Sequence, residues 1–174
     1  MQLINYANRG RTLENLIIAA NSNYRVRGQA VIHKVPTAWL PIRNGKGKIV
    51  SAKVEEKAAV DFMGVVKTPG GPVPVAFDAK EVSKGDRFQL TRLEQHQYEY
   101  LRNHAACGGF SFVLIAFWES NRFFVLPFPE LERRWTAWKN KTGPASVRAG
   151  EGGLVEVRFL EYLNFFDRGE KVAK

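Results

Sequence analysis

VPVAFDAKEV, residues 73–82, is the stretch that decides the fold of this chain, together with AVDFMGVV at residues 59–66. Both stretches are rich in β-branched and aromatic residues, which favour strands. Between them lies TPGGP, residues 68–72, a run of strong turn formers. The two stretches therefore predict neighbouring antiparallel strands joined as a β-hairpin.

Three charged side chains converge on this predicted hairpin. Side chains alternate along a strand, so Asp78 and Lys80 share one face while Phe77 and Ala79 share the other. Asp61 on the preceding strand can lie opposite or diagonal to Asp78, where cross-strand side chains meet at roughly 5–8 Å. Two carboxylates and a backbone carbonyl suffice for Mg²⁺, which also keeps waters and binds substrate phosphate.

Such a centre fits phosphodiester hydrolysis. A bound Mg²⁺ polarises a phosphoryl oxygen and lowers the pKa of a bound water. Lys80 would orient or deprotonate that water, or neutralise charge that develops on the phosphoryl group. The alternative is that Asp78 and Lys80 form an ordinary surface ion pair of little energetic value. Asp61 argues for the site, because a charge inside an apolar run is costly without a partner or a metal.

Composition narrows the classes of protein. The 174 residues are 45% hydrophobic and 12% aromatic, which predicts one globular domain spanning residues 1–174. The formal net charge of +9 is the electrostatic footprint expected of a nucleic-acid binder. Charge alone does not separate DNA, RNA and an anionic membrane, and the lack of a basic amphipathic helix ranks the membrane last. No apolar run is long enough for a membrane span, and no signal-peptide core is present, so we expect a soluble, cytoplasmic protein. Cys107 is the only cysteine, which excludes a disulfide framework.

The rest of the chain predicts a mixed sheet flanked by helices. Helical periodicity and end signals predict helices over about 12–27, from the TRLE capping box at 91–94 to about 107, and over 129–141. Gln97 lies on the apolar stripe of the second helix, where an amide needs a partner. Further strands are predicted at 29–35, 110–117, 122–128 and 154–159.

Residues 41–57 form a basic segment that carries Arg43, Lys46 and Lys48. It contains an Asn-Gly pair, which is typical of tight hairpin turns. We interpret it as a projecting basic hairpin, and an ordinary solvated loop is the alternative that charge does not exclude.

Several short motifs in register resemble the RecU-type Holliday junction resolvases of the PD-(D/E)xK nuclease superfamily. In chain order the matching residues are NRG at 8–10, Glu14, Gly28, IHK at 32–34, PT at 36–37, DFxG at 61–64, FDAKE at 77–81, FxL at 88–90 and HQ at 96–97. The resemblance implies a restriction-endonuclease-like α/β fold with a protruding stalk at about 41–57. It also implies an endonuclease that resolves four-way DNA junctions in recombination and repair.

The resemblance carries roles onto particular residues. It implies that Asp61, Asp78 and the carbonyl of Ala79 bind Mg²⁺ or Mn²⁺, and that Lys80 is the catalytic lysine with Glu14 and Gln97 as accessory residues. It implies DNA contacts from a basic arm, which carries Arg9 and Arg11, and from the stalk. The residues predicted to bind DNA are Arg9, Arg11, Lys34, Arg43, Lys46 and Lys48. It further implies a homodimer, and a recombinase is a candidate partner.

Three positions depart from the family pattern. Asp78 stands where Glu is common, Ala59 where Thr is usual, and Phe62 where Tyr is usual. These differences bear on metal preference and rate more than on reaction type. Two other functions stay open at this point: a restriction-like nuclease acting on duplex DNA, and a non-catalytic binder of branched DNA. Retention of both acids together with the lysine argues against the second.

Overall fold

The computed structural model describes residues 12–56, 58–159 and 161–166. Three helices are present in this part of the chain: α1 (Thr12–Val26), α2 (Gln95–Ala106) and α3 (Phe128–Lys139). Its strands are β1 (Ala30–Lys34), β2 (Ala38–Arg43), β3 (Ile49–Glu56), β4 (Phe62–Thr68), β5 (Gly71–Val82), β6 (Arg87–Gln89), β7 (Phe110–Phe117), β8 (Arg122–Pro127), β9 (Ser146–Arg148) and β10 (Val155–Val157). None of these helices is long and apolar enough to cross a membrane.

A six-stranded mixed sheet forms the centre of the fold, in the order β1-β4-β5-β7-β8-β10. The pair β5 and β7 is parallel, and every other neighbouring pair in this sheet is antiparallel. A parallel pair needs a long crossover, and the connection through β6 and α2 provides it. The predicted mixed α/β sheet flanked by helices is confirmed, and β5 lies in its interior.

The two faces of the sheet bury separate apolar clusters. On one face, α1 packs Leu13, Ile17 and Tyr24 against Phe62 and Phe77. On the other face, α2 and α3 cover a second cluster, whose members include Ala76, Val113, Ile115, Leu101, Leu131 and Trp135. The two clusters contain alternate residues of β5 and β7, as the two-residue period of a strand requires.

The predicted hairpin is present as β4 and β5. Phe62 pairs with Phe77 in the antiparallel register, and their rings stack with centroids 5.1 Å apart. Phe77 also stacks on Phe112 of β7, with centroids 4.5 Å apart. One boundary differs from the prediction, because β4 begins at Phe62 and Asp61 directly precedes it.

The basic segment is a second, separate hairpin. In the described part of the chain, strands β2 and β3 pair with each other and form their own two-stranded sheet. The side chains of residues 40–53 are all exposed. The turn is fixed locally, since the Asn44 side chain accepts hydrogen bonds from the backbone N–H groups of Lys46 and Lys48, each at 3.0 Å. The hairpin starts at Ala38, three residues before the start of the predicted stalk. That the hairpin enters a DNA junction remains a prediction.

The predicted start of the second helix is wrong by four residues. Leu90–Arg92 form a 3₁₀ turn, and α2 begins at Gln95 after an N-cap at Glu94. The capping box exists, but its members are Glu94 and Gln97. The TRLE pattern suggested the wrong position because Leu90 and Leu93 are both buried in the core, which holds this segment in the tighter turn.

We expect Gly64→Ala to destabilise the protein by about 1–3 kcal/mol through overpacking. An added Cβ would stand 2.0 Å from the Val31 carbonyl oxygen and 2.6 Å from the Ile32 Cα, so β1 and β4 would have to separate. Urea unfolding measures the change. Gly70→Ala is the control, because the nearest atom to its added Cβ is the Thr68 hydroxyl oxygen at 3.8 Å. Equal stability of the two variants would contradict this prediction.

Candidate metal centre

Asp78 is the centre of a polar cluster inside the apolar face that α2 covers. Its side chain is 0% exposed, whereas that of Lys80 is 16% exposed. Lys80 Nζ lies 2.7 Å from Asp78 Oδ2 as an ion pair, and Gln97 Nε2 donates a 2.6 Å hydrogen bond to Asp78 Oδ1. The alternative of an ordinary surface ion pair is thereby excluded, and the shared face of Asp78 and Lys80 is confirmed.

Gln97 connects the strand residues to the start of α2. Its Oε1 accepts a 3.2 Å hydrogen bond from Lys80 Nζ and a 3.0 Å bond from the backbone N–H of Glu94. With Nε2 donating to Asp78, both ends of the amide are used. The partner that the sequence required for Gln97 is therefore the Asp78 and Lys80 pair together with the helix N-terminus.

Asp61 is held beside this cluster by backbone contacts. Its Oδ2 accepts a 2.8 Å hydrogen bond from the backbone N–H of Ala79. Its own carbonyl accepts a 2.8 Å bond from the backbone N–H of Val35, which follows β1. The carboxylate of Asp61 is thus fixed next to the residue that separates Asp78 from Lys80.

The environment strongly disfavours a negative charge on Asp78. The pKa of its carboxyl is raised from the usual 3.8 to about 7: burial is the largest cause, the charge of Asp61 also raises it, and Lys80 lowers it in part. The electrostatic effect of Asp61 means that its carboxylate lies near that of Asp78. A cation placed between them would relieve this unfavourable arrangement.

The residues present fit a divalent metal ion. Asp78 Oδ2 is fully buried, and the contact that it makes among the described residues is the ion pair with Lys80. Carboxylate oxygens are the ligands that Mg²⁺ prefers, and one or two of them are enough when waters and phosphate complete the octahedron. Within the described ranges no cluster of three or more His, Cys, Asp or Glu side chains could hold a metal. Ligands beyond Asp61 and Asp78 would therefore be backbone carbonyl, water or substrate.

Sequence comparison decides the family. The sequence model described as "RecU: Recombination protein U" matches residues 8–167, which is most of the chain. The chain belongs to the RecU family. It is 31% identical to the Holliday junction resolvase RecU of Limosilactobacillus reuteri, over 94% of this chain and 83% of that relative.

Two further RecU relatives show similar agreement. The chain is 34% identical to the Holliday junction resolvase RecU of Geobacillus kaustophilus, over 78% of this chain and 66% of the relative. It is 28% identical to that of Oenococcus oeni, over 98% of this chain and 89% of the relative. The similarity thus covers both hairpins and the polar cluster at Asp78.

Two of the residues predicted for the site in this RecU chain pair with each other. Lys34 and Glu14 form an ion pair between β1 and α1, and each side chain is 43% exposed. Neither of them makes a contact with Asp61 or Asp78 that would place it in the cluster. Their roles in the metal's outer shell and in DNA binding remain predictions.

The remaining predicted DNA-binding residues fall in two places. Arg43, Lys46 and Lys48 lie on the exposed hairpin, where Arg43 Nη1 donates a 2.9 Å hydrogen bond to the carbonyl of Gly47. Arg9 and Arg11 lie outside the described residues.

Glu81 has a structural role beside the site that the sequence did not reveal. Its Oε1 accepts a 3.1 Å hydrogen bond from the backbone N–H of Leu13, and its Oε2 accepts a 2.8 Å bond from Trp118 Nε1. Because Glu81 points to the face opposite Asp78, it binds the N-terminus of α1 to β5. The signal was available, since an acid occupies the α1 face of the strand, where an apolar side chain is expected.

His96 makes a second connection of this kind. Its Nε2 lies 3.3 Å from the carbonyl oxygen of Ala58, which links α2 to the segment leading into Asp61.

We expect Asp78→Asn to stabilise the metal-free protein by about 1–3 kcal/mol at pH 8, because a neutral amide removes a buried charge. The contribution of a carboxyl whose pKa is raised to about 7 is fully present below pH 3.8 and is lost as the pH rises through about 7. The gain from the substitution should therefore be larger at pH 8 than at pH 5. Urea unfolding in EDTA measures both values.

Asp86→Asn provides the control, because this exposed acid pairs with Arg148 at the surface. Its substitution should change stability little at either pH. A loss of stability in Asp78→Asn at both pH values would show that the carboxylate is already well compensated in the metal-free protein.

Proposed function

We propose that this chain is a metal-dependent endonuclease that resolves four-way DNA junctions in recombination and repair. One observation carries the proposal: the fully buried carboxylate of Asp78 is paired with Lys80 and lies close enough to the Asp61 carboxylate for the charge of Asp61 to raise its pKa. Membership of the RecU family and the names of its relatives support junctions as the substrate.

Asp61 and Asp78 would hold Mg²⁺ or Mn²⁺, and the carbonyl of Ala79 is a further candidate ligand. When bound, the ion supplies a Lewis acid for a phosphoryl oxygen and a water of lowered pKa. The fixed orientation of Asp61, through the Ala79 N–H, prepares its carboxylate for that role before the metal arrives.

Lys80 would act on the scissile phosphate. An ammonium group has three N–H donors, and two of them point to Asp78 and Gln97. One donor remains for a phosphoryl oxygen or for the attacking water. Gln97 keeps Lys80 and Asp78 at a fixed separation, because its amide contacts both.

The reaction is a hydrolysis that conserves atoms and charge. The water oxygen forms a bond to phosphorus, and the bond from phosphorus to the 3′ oxygen breaks. The proton that the water loses is balanced by the proton that the leaving oxygen gains. Each cut leaves a 5′-phosphate and a 3′-hydroxyl.

A homodimer is the assembly that fits this substrate. A four-way junction has near two-fold symmetry, and productive resolution needs two matched cuts. One chain offers one candidate centre, so two chains related by a two-fold axis would place two centres on strands of like polarity. The exposed basic hairpin and the net charge of +9 provide electrostatic attraction to the junction.

We expect Asp61→Asn and Lys80→Ala each to lower the cleavage rate of a synthetic junction in Mg²⁺ by about 10³-fold or more, since each removes charge stabilisation at the reacting phosphate. Junction binding in EDTA, measured by fluorescence anisotropy, should be largely retained. Lys84→Ala is the control because Lys84 is exposed just after β5. Normal cutting by both site variants would refute the proposal.

The same assay separates the rival activities. A linear duplex of equal length, tested at equal protein concentration, should be cut far more slowly than the junction. Equal rates would indicate a duplex nuclease, and cutting of neither substrate with Mg²⁺ or Mn²⁺ would leave a non-catalytic binder of branched DNA.

We expect a double variant, Lys46→Gln with Lys48→Gln, to bind the junction more weakly and with a shallower salt dependence. Each lost phosphate contact should reduce the slope of log K against log [salt] by about one unit. The double variant Lys139→Gln with Lys141→Gln removes equal charge at the end of α3 and serves as the control. An unchanged slope in the hairpin variant would mean that this hairpin does not contact DNA phosphates.

A further inference from the structure

The segment that carries Asp61 lies just beyond the end of the antiparallel pairing between β4 and β5. Phe62 pairs with Phe77 at that end. One further step in the same register would place Asp61 directly opposite Asp78, and like charges in that position destabilise a strand pair. Residues 58–61 therefore need restraints that keep the Asp61 carboxylate beside that of Asp78 while no metal is bound.

Three restraints act at the end of this segment. The backbone N–H of Ala79 donates a 2.8 Å hydrogen bond to Asp61 Oδ2, and that of Val35 donates a 2.8 Å bond to the Asp61 carbonyl. Val60 is 0% exposed and belongs to the apolar cluster under α2. The start of the segment, at Ala58, is restrained by a different element.

His96, in the first turn of α2, makes the contact at Ala58. Its Nε2 lies 3.3 Å from the Ala58 carbonyl oxygen, and because a carbonyl only accepts, Nε2 carries the proton in this contact. The other ring nitrogen, Nδ1, lies 3.5 Å from Glu94 Oε2. Both nitrogens thus face oxygen atoms, which fixes the orientation of the ring. Helix preference does not explain an imidazole here, because the helix dipole favours acids in the first turn.

The next residue, Gln97, serves the other half of the candidate metal centre. Its amide contacts Asp78 and Lys80 of β5. One turn of α2 therefore contacts both segments that carry the candidate ligands, and it sets how far apart they lie. Contacts that orient metal ligands from outside typically change metal affinity or activity by about 10–100-fold when they are lost.

We propose that His96 is a positioning residue, which fixes residues 58–61 against α2 and so holds the Asp61 carboxylate where it can share one divalent ion with Asp78. The proposal rests on the proposed nuclease function, because that function supplies the metal. His96 acts through the backbone of the segment and contacts neither the metal nor the DNA.

Two substitutions of His96 separate the roles of its ring nitrogens. His96→Gln places an amide nitrogen near the position of Nε2, from which it can still donate to the Ala58 carbonyl. His96→Asn places its amide near the position of Nδ1, too far from Ala58. Gln95→Asn is the matched control for a shortened amide in the same turn, because the exposed Gln95 side chain donates to Glu99 and not to the segment.

Amide hydrogen exchange in EDTA, followed by NMR, tests the restraint without metal or DNA. The N–H groups of Ala79 and Val35 both donate to Asp61, so their exchange rates report whether it is held. His96→Asn should accelerate both by about tenfold or more, whereas His96→Gln and the control should stay near wild type. The Lys67 amide, at the opposite end of β4, should not change. Equal acceleration at Lys67 would indicate a general loss of stability and would overturn the positioning role.

Metal binding is measured directly by an electron paramagnetic resonance titration with Mn²⁺ in the absence of DNA. His96→Asn should bind Mn²⁺ about 10–100-fold more weakly than wild type, and His96→Gln should largely retain the affinity. Junction binding in EDTA should be unchanged in both variants. Mn²⁺ affinity that is normal in His96→Asn, or as weak in His96→Gln or in Gln95→Asn, would overturn the proposal. Weaker junction binding with normal exchange would make His96 a DNA contact and would also overturn it.

The same measurements separate the two proposals. If the junction is cut in Mg²⁺ but His96→Asn matches wild type in exchange and in Mn²⁺ affinity, the positioning role fails and the nuclease proposal stands. If wild type binds no Mn²⁺ and cuts no junction, the nuclease proposal fails. The restraint on Asp61 is then judged by exchange alone: faster exchange at Ala79 and Val35 in His96→Asn supports it, and unchanged exchange overturns it.

Discussion

The burial of the Asp78 carboxylate is the constraint on which the other features of the site depend. An interior strand of a sheet covered on both faces has no water to solvate a charge, and the neighbouring Asp61 adds repulsion. Lys80 and Gln97 compensate in part, and both are held in place by β5 and α2. The same arrangement that disfavours a bare carboxylate favours a divalent cation. Under the proposed function, the metal-free protein would be less stable because these carboxylates are held ready for a metal.

Because side chains alternate along a strand, β5 contributes both to the polar cluster and to the packing of α1. Along β5, Asp78 and Lys80 face α2, whereas Phe77 and Glu81 face α1. Asp78 and Lys80, which face α2, belong to the polar cluster. The residues toward α1 secure that helix, through stacked rings and through the Glu81 carboxylate at the helix N-terminus. A one-residue shift in register would exchange the two sets, so the pairing of Phe62 with Phe77 is essential to the site as well as to the core.

The sequence predicted the parts of this arrangement that depend on local pattern. Alternation along residues 73–82 predicted the hairpin and the common face of Asp78 and Lys80, and the apolar run at 110–117 predicted the buried strand β7. The sequence did not predict the short strand pair β6 and β9. It also did not predict the start of α2, because buried leucines hold residues 90–93 in a 3₁₀ turn. The contact between Gln97 and Asp78 joins residues 19 apart and arises only when α2 packs on the sheet.

The segments that connect the basic hairpin to the rest of the fold lie next to Asp61. Strand β1 ends at Lys34, and the following Val35 donates to the carbonyl of Asp61 before β2 begins at Ala38. After β3, the carbonyl of Ala58 meets His96 of α2, three residues before Asp61. One end of the hairpin is next to the backbone hydrogen bond that holds Asp61, and the other end is next to α2 and leads into Asp61. The side chains of residues 40–53 are exposed. Under the proposed function, binding in the junction would thereby act directly on the alignment of the Asp61 carboxylate.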